Sequence, residues 1–520
     1  MPEHQQSEPI DASLQQEVID FLRDPASYED KKSAVEVIET HASLVFLVGD
    51  RSYKLKRAVK YSYLDFSTLE QRQVACAAEL RLNRRTAPQL YLDVRPISRR
   101  PDGRLAWGRV GEVLDVVVVM QRFAADAVLD RVADRGGLTP AITYALAAHI
   151  AEFHRMAEPC SEGGGSAAMR ELAQTNLAIA AGISGAGFGA ARAAQVEAAL
   201  SRSLNGIASL LDERRAAGKV RRGHGDLHLR NICLINGKPT LFDAIEFSEA
   251  IACIDVLYDL AFLLMDLEHR GARSIANRVF NRYLDLTDDD AGIVAMPAFI
   301  ALRAIIRAHV TATMAEHGWG GSDKVAALAE ARGYLDDAAT ALQPAPVRLI
   351  AVGGVSGTGK STLAAALAAE LGVRPGARHL RSDVLRKLML GTEPESPLPA
   401  EAYTPEVTAR VYRALGQRAR TALSAGYPAV IDAVSLRVDE REAFLAIARD
   451  AGVPFTGLWL EASPEALAAR LRARSADASD ASPEILAQQL KLDPGPLDWT
   501  RIDAGASGDA TLAAARLALR

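Results

Sequence analysis

Gly354-Val355-Ser356-Gly357-Thr358-Gly359-Lys360-Ser361 fits the pattern G-x-x-x-x-G-K-[ST] in full. An apolar run, Val347–Val352, precedes it, and an Ala-rich helical stretch, Thr362–Leu371, follows. Glycines let backbone N–H groups turn inward around phosphate oxygens, and the start of a helix adds positive partial charge. The spacing predicts that Ser356, Thr358 and Thr362 line the cradle, that Lys360 reaches the terminal phosphates, and that Ser361 ligates Mg²⁺. Further along, Ala429–Asp432 and Phe455–Leu460 are candidate strands with helical stretches between them. Strands alternating with helices predict an α/β domain with a parallel sheet covered on both faces, here over residues 347–520.

Acids at the carboxyl ends of such strands face the ligand crevice. Asp383, after Arg381-Ser382, is assigned to the substrate hydroxyl, with a helix N-cap as the competing reading. Asp432, closing Val430-Ile431, is assigned to the metal side. Arg470, Arg472 and Arg474 precede the polar run Ser475–Ser482. Arg470 and Arg474 read as lid arginines over ATP, or else as a solvated helix end. This half resembles the P-loop small-molecule kinases of the gluconate-kinase, polynucleotide-kinase and zeta-toxin type, on GVSGTGKST, RSDVLRK, VIDA and RLRAR. The resemblance implies ATP-dependent phosphoryl transfer and leaves the acceptor open.

Upstream of Gln343–Pro346 the texture changes to long Ala- and Leu-rich helical stretches, among them Pro140–Met156, Ala190–Ala217, Arg273–Leu286 and Pro297–His317. One block among them, His224–Phe247, reads loop, strand, turn at Asn236-Gly237, strand. It contains H-x-D-x-x-x-x-N, with His224, Asp226 and Asn231, and Asp243 ends its second strand. In this pattern the first Asp orients an attacking hydroxyl, while the Asn and the later Asp hold Mg²⁺ against ATP phosphates. Such a site needs a strand lysine paired with a helix glutamate. The strand Tyr53–Val59 offers Lys54 and Lys56, two apart and so on one face, with neither favoured. The helix Ser67–Arg85 offers Glu79 on its inner stripe, whereas Glu70 suits a first-turn acid.

This half resembles the aminoglycoside-phosphotransferase and choline-kinase branch of the protein-kinase-like fold, on VFLVGDRSYKLK, HGDLHLRN and LFDAIEF. The resemblance implies an α+β bilobal domain over 31–342, after an extension of residues 1–30, with a small lobe at about 31–122 and a helical lobe at about 123–342. It implies that Asp226 is the catalytic base and that Asn231 and Asp243 are metal ligands. His224 becomes a loop brace, and Asp255 and Asp259 become acids bracing the loop from the next helix. No G-x-G-x-x-G is present, and Ala-Ile-Glu follows Asp243. Glu246 is an added acid, for a cationic substrate, a second Mg²⁺ or the surface.

The remaining composition bounds the function. At ~150 residues per domain, 520 residues imply about two to four domains. A net charge of −5 and 6% aromatics weigh against a nucleic-acid groove. Cys76, Cys160, Cys233 and Cys253 form no CxxC and read as four reduced thiols. The start reads as no signal peptide, and no apolar stretch is expected to approach the ~20 residues of a membrane helix, so the expected location is cytoplasmic. His149 and His154 read as packing or surface residues. The expectation is a two-module Mg·ATP phosphotransferase acting on hydroxyls of small sugars, amino-sugars or polyols, with no membrane or nucleic-acid partner. Two alternatives stand beside it: one module regulatory, or the second half a polynucleotide 5′-hydroxyl kinase.

Overall fold

The computed structural model describes residues 12–30, 33–40, 42–61, 64–183, 189–316, 323–472 and 479–520. The chain forms two compact units, one of residues 1–266 with 302–338, the other of 267–301 with 339–520.

In the first unit, a six-stranded antiparallel sheet has the spatial order Glu36–Glu39, Ser43–Val48, Arg51–Lys56, Glu112–Gln121, Tyr91–Arg99, Leu105–Trp107. Gly49, at φ +54°, turns the second strand into the third. The helix Leu69–Asn83 starts on a capping box in which Thr68 and Gln71 satisfy each other's backbone. It buries Cys76, Glu79 and Leu82, and Cys76 packs with Tyr91, Val116, Val118 and Met120 of the sheet. Ala75 of the same helix packs with Leu64 and Phe66, so the helix is held against the sheet from more than one side.

The helical part follows the expected stretches with one break: Ala190–Ala217 is two helices, Ala190–Gly206 and Ala208–Ala216. The hairpin Ile232–Ile235 with Lys238–Leu241 turns on Asn236 and Gly237, at φ +51° and +75°. Two consecutive positive φ values are what a two-residue hairpin loop requires, and Asn-Gly supplies them at low strain.

The second unit is built on a parallel sheet in the order Arg378–Arg381, Ala429–Asp432, Leu349–Gly353, Phe455–Glu461, Thr500–Asp503. Its core joins Ile350 and Val352 to Leu363 and Leu367 of the helix Lys360–Glu370, and to Val430, Leu458 and Ile502. The edge strand Arg378–Arg381 is covered by the helix Arg273–Thr287 of the same unit. Asn281 Oδ1 accepts from His379 N at 2.8 Å, and Asn277 Nδ2 donates to Ala377 O at 3.0 Å. A side-chain amide thus takes a backbone donor that an open edge would expose.

Two expectations from the sequence are corrected. Cys160 and Cys253 form a disulfide, their Cα atoms 5.9 Å apart, leaving Cys76 and Cys233 as buried free thiols. The strand pair Val220–Arg222 with Cys253–Asp255 brings these cysteines together, and spacing alone gives no sign of that pairing. The segment Asp290–Glu316 is apolar over a length that suffices to cross a membrane. It is a core helix: 72% of its most apolar window is buried inside the fold.

Candidate active sites

The first site grows from the strand Arg51–Lys56. Its alternation puts Lys54 and Lys56 on one face, toward Glu79. Lys54 Nζ donates to Glu79 Oε1 at 2.9 Å and to Asp243 Oδ1 at 2.6 Å. Lys56 Nζ donates to the other oxygen, Glu79 Oε2, at 2.6 Å, and to Glu246. Glu79 therefore bridges the two lysines. Burial opposes its charge, but the two ammonium groups prevail and hold its pKa down to about 2. Burial also opposes the lysines, whose pKa values are nonetheless raised by Asp243 and Glu79 for Lys54, and by Glu79 and Glu246 for Lys56.

The lysines differ in access. Lys54 is 15% exposed and touches Asp243, whereas Lys56 is 1% exposed and lies over the Phe66 ring. Glu246, read from the sequence as a substrate, metal or surface acid, is a buried partner of Lys56.

The loop His224–Asn231 is fixed mainly by one acid. Asp259 accepts from His224 N at 2.7 Å and Gly225 N at 3.0 Å, and His154 Nε2 lies 3.2 Å from it. Burial works against the Asp259 charge, yet the hydrogen bond and charge of His154 bring its pKa to about 2. His154 is thus part of the loop support and not a bystander. His224 adds a contact of 2.9 Å between Nε2 and Phe242 O. Asp255 acts elsewhere: it forms a bidentate pair with Arg214 at 2.7 and 2.8 Å and accepts from Leu257 N.

This loop and the hairpin behind it present three oxygen-bearing side chains. Asn231 Nδ2 donates to Asp226 Oδ2 at 2.8 Å, and His228 Nε2 lies 3.3 Å from the same oxygen. Asp226 feels burial first, which disfavours its charge, but His228 and Arg307 outweigh it and keep the carboxyl well below its usual range. Asp243 sits at φ +63°, a conformation most non-glycine residues avoid. Its N–H donates to Tyr91 Oη at 3.1 Å, and the next N–H, of Ala244, donates to Asn83 Oδ1 at 2.8 Å. Those two anchors hold the strained turn and aim Asp243 at Lys54. Sequence spacing did not reveal Tyr91, Asn83 or Arg307, because each meets the site only through tertiary contact; His228 stands within the loop itself, two residues after Asp226.

The donors at hand, a carboxylate and an amide carbonyl from Asp243 and Asn231, are hard oxygens suited to Mg²⁺. Among the described residues no group of three or more His, Cys, Asp and Glu could hold a metal alone. A cation here would complete its shell with phosphate oxygens and water, which is how Mg²⁺ is commonly held.

The second site lies at the carboxyl ends of Leu349–Gly353 and Ala429–Asp432. Gly354 has φ +132°, and a Cβ there would fall 2.6 Å from Leu460 O, so only glycine fits. Gly357 and Gly359 also have positive φ, and Gly359 caps the helix Lys360–Glu370. Within the cradle Thr358 Oγ1 donates to Val355 O at 2.9 Å and Lys360 Nζ to the same carbonyl at 3.0 Å. Ser356 N donates to Gln489 Oε1 at 2.8 Å. Ser361 and Thr362 follow in the first turn, half-buried and exposed.

Asp432 is buried, 3.5 Å from Arg381 Nε and 3.7 Å from His379 Nε2. Burial resists its ionisation, but His379, Arg381 and Lys360 hold its pKa at about 2. Asp383, in the first turn of the helix Ser382–Met389, moves the other way: burial and then the Asp432 charge raise it. A hydroxyl and an anionic carboxylate, Ser361 and Asp432, form a donor set that suits Mg²⁺. Arg470 Nη2 is engaged with Ala504 O at 2.6 Å, and Arg474 lies outside the described residues.

Two family models match the chain: residues 37–294 match the phosphotransferase enzyme family, APH, and residues 349–493 match an AAA domain, AAA_33. The uncharacterized protein Rv2004c of Mycobacterium tuberculosis is 31% identical over 460 residues, covering 87% of this chain and 89% of that one. The uncharacterized protein Mb2027c of Mycobacterium bovis matches to the same extent. Among solved structures, a gluconokinase from Sinorhizobium meliloti is similar at 25% identity and TM-score 0.24, over 34% of this chain and 96% of that one. A choline/ethanolamine kinase family protein from Mesorhizobium loti is similar at 13% identity and TM-score 0.36, over 62% and 94%. The chain belongs to the family that joins an APH phosphotransferase domain to an AAA_33 P-loop domain, and it is a kinase.

Proposed function

We propose that both modules are catalytic, each transferring the γ-phosphoryl group of Mg·ATP to a hydroxyl of a small sugar, amino-sugar or polyol. The observation that carries this reading is the placement of Lys54 between Glu79 and Asp243, beside the Asp226–Asn231 loop. That arrangement supplies a fixed cation for phosphates, two oxygen ligands for Mg²⁺ and a carboxylate for the acceptor. Magnesium, when bound, shields the phosphate charge and orients the transferring group.

In the first module Lys54 is the phosphate contact, and Lys56 with Glu246 braces Glu79 from behind. Asp226, kept anionic by His228 and Arg307, orients the acceptor hydroxyl and takes its proton. In the second module the backbone of Gly354–Gly359 and Lys360 hold the phosphates, while Ser361 and Asp432 hold the metal. Asp383 receives the acceptor proton. A small, hydroxylated acceptor suits the chemistry of both sites, and the chain's negative charge supports it over an oligonucleotide.

A metabolite screen tests the proposal, following ATP consumption and product mass with the wild type and the Asp226→Ala and Lys360→Ala variants. Two phosphorylated products, one lost in each variant, support it. A single product, lost in one variant and untouched in the other, leaves only one module catalytic.

A further inference from the structure

Ser479 and Asp480 stand just before the helix Pro483–Gln489, and both are tied to the helix that carries Asp383. The Asp480 carboxylate is clamped by three donors. Lys387 Nζ reaches Oδ1 at 2.9 Å, while Leu398 N and Tyr403 Oη reach Oδ2 at 3.1 and 2.5 Å. The Lys387 side chain is fully buried and Asp480 largely so, while Tyr403 closes the clamp from the exposed side. Lys387 follows Asp383 by one helical turn, which puts the clamp and Asp383 on the same helix face. One residue before the clamped aspartate, the Ser479 hydroxyl hydrogen-bonds Asp383, within reach of the Lys360 charge.

A hydroxyl of this chain is therefore held on Asp383, the carboxylate proposed to receive the acceptor proton. We propose that Ser479 is an internal phosphoryl acceptor of the second site. In this step Ser479 Oγ forms a bond to the γ-phosphorus of ATP, and the bond from that phosphorus to the β–γ bridging oxygen breaks. The hydroxyl proton passes to Asp383, and ADP leaves with the electron pair. The inference rests on reading Asp383 and Lys360 as the working residues of a P-loop kinase. It goes further by naming a serine of the protein itself as substrate, with the Asp480 clamp as the positioning device.

The test uses the full chain incubated with Mg·ATP and no added acceptor, then digested with trypsin. The peptide spanning 475–491 contains Ser475, Ser479 and Ser482. The expected result is a gain of about 80 Da, one phosphoryl group, localised by fragmentation to Ser479. Its rate per chain is independent of protein concentration, as transfer within one molecule requires. The gain disappears in Ser479→Ala and Lys360→Ala and returns in Ser479→Thr. Circular dichroism melts matching the wild type show that the variants are folded. An unmodified peptide, or a gain on Ser475 or Ser482 instead, alongside Lys360-dependent ADP release overturns the inference while the kinase reading stands. Absence of Lys360-dependent ADP release with every acceptor in the metabolite screen overturns both.

Discussion

Lys54 Nζ stands 2.6 Å from Asp243 Oδ1, joining residues 189 positions apart in sequence. The strand lysine and the strand-end aspartate meet because Glu79 holds the lysine from one side, and Tyr91 and Asn83 hold the aspartate's turn from the other. The same glutamate also binds Lys56, so the first site contains two lysines with separable duties.

Those duties predict opposite outcomes for two similar substitutions. Lys54→Met removes the cation facing the phosphates and is expected to lower kcat by ~10²-fold or more, as loss of a preorganised electrostatic partner does. Its melting temperature changes little beside that of the second variant, because Glu79 keeps Lys56. Lys56→Met leaves the buried Glu79 and Glu246 without a shared cation and is expected to cost about 3–5 kcal/mol of stability. Steady-state kinetics and thermal melts on both variants check this. Equal kinetic loss with equal melting temperatures would contradict the assignment.

Arg378 predicts where the second unit can be cut. Its side chain, 0% exposed, donates to Asp285 and Asp290 at 2.6 Å each and to Asn281 at 3.0 Å. All three partners precede residue 345, the place where sequence texture changes. Arg378→Met removes the buried cation shared by Asp285 and Asp290, leaving them only the longer contacts of 3.8 and 3.3 Å to Arg418, and is expected to destabilise the unit by about 2–4 kcal/mol. A fragment that starts at residue 345 strips Arg378 of the same partners and uncovers the edge strand. It is expected to aggregate on expression to a greater extent than the full chain under the same conditions. Sedimentation of the fragment checks this, and a monomeric, cooperatively melting fragment would refute it.

A histidine sets part of the acid limb of stability. His309 is buried with Asn176 Oδ1 2.7 Å from Nε2, and burial lowers its pKa from 6.5 to about 4. The unfolded chain takes up this proton near pH 6.5 and the folded chain only near pH 4. Between those values the unfolded state binds more protons, so stability falls as pH falls, by about 3 kcal/mol at most from this group. His309→Gln keeps a hydrogen-bonding side chain without the titration. Urea unfolding at pH 7 and pH 4.5 should show a smaller loss in the variant than in the wild type, and equal losses would remove His309 as the cause.

What the sequence disclosed divides by range. The glycine cradle, the H-x-D-x-x-x-x-N loop, Asn236-Gly237 and the amphipathic strands and helices are local patterns whose physics acts within a few residues. They located the elements that carry the site residues: Lys360 opens the helix after the glycine cradle, Glu79 lies on a helix, Asp226 and Asn231 on the loop, and Asp243 just past the hairpin's second strand. Contacts between distant residues left no such pattern. His154 meets Asp259 across 105 positions, Arg378 meets Asp285 across 93, and Cys160 pairs with Cys253 across 93. Each is set by the packing of whole elements. The choice between Lys54 and Lys56 was also beyond the pattern, since two residues on one strand face differ only in what lies over them.

On this reading, one polypeptide holds two working nucleotide pockets. Equilibrium dialysis with a non-hydrolysable ATP analogue and Mg²⁺ measures it directly. Two nucleotides are expected to bind per wild-type chain, and one per chain when Lys360→Ala disables the cradle. A single nucleotide per wild-type chain, or a stoichiometry unchanged by that substitution, would contradict it.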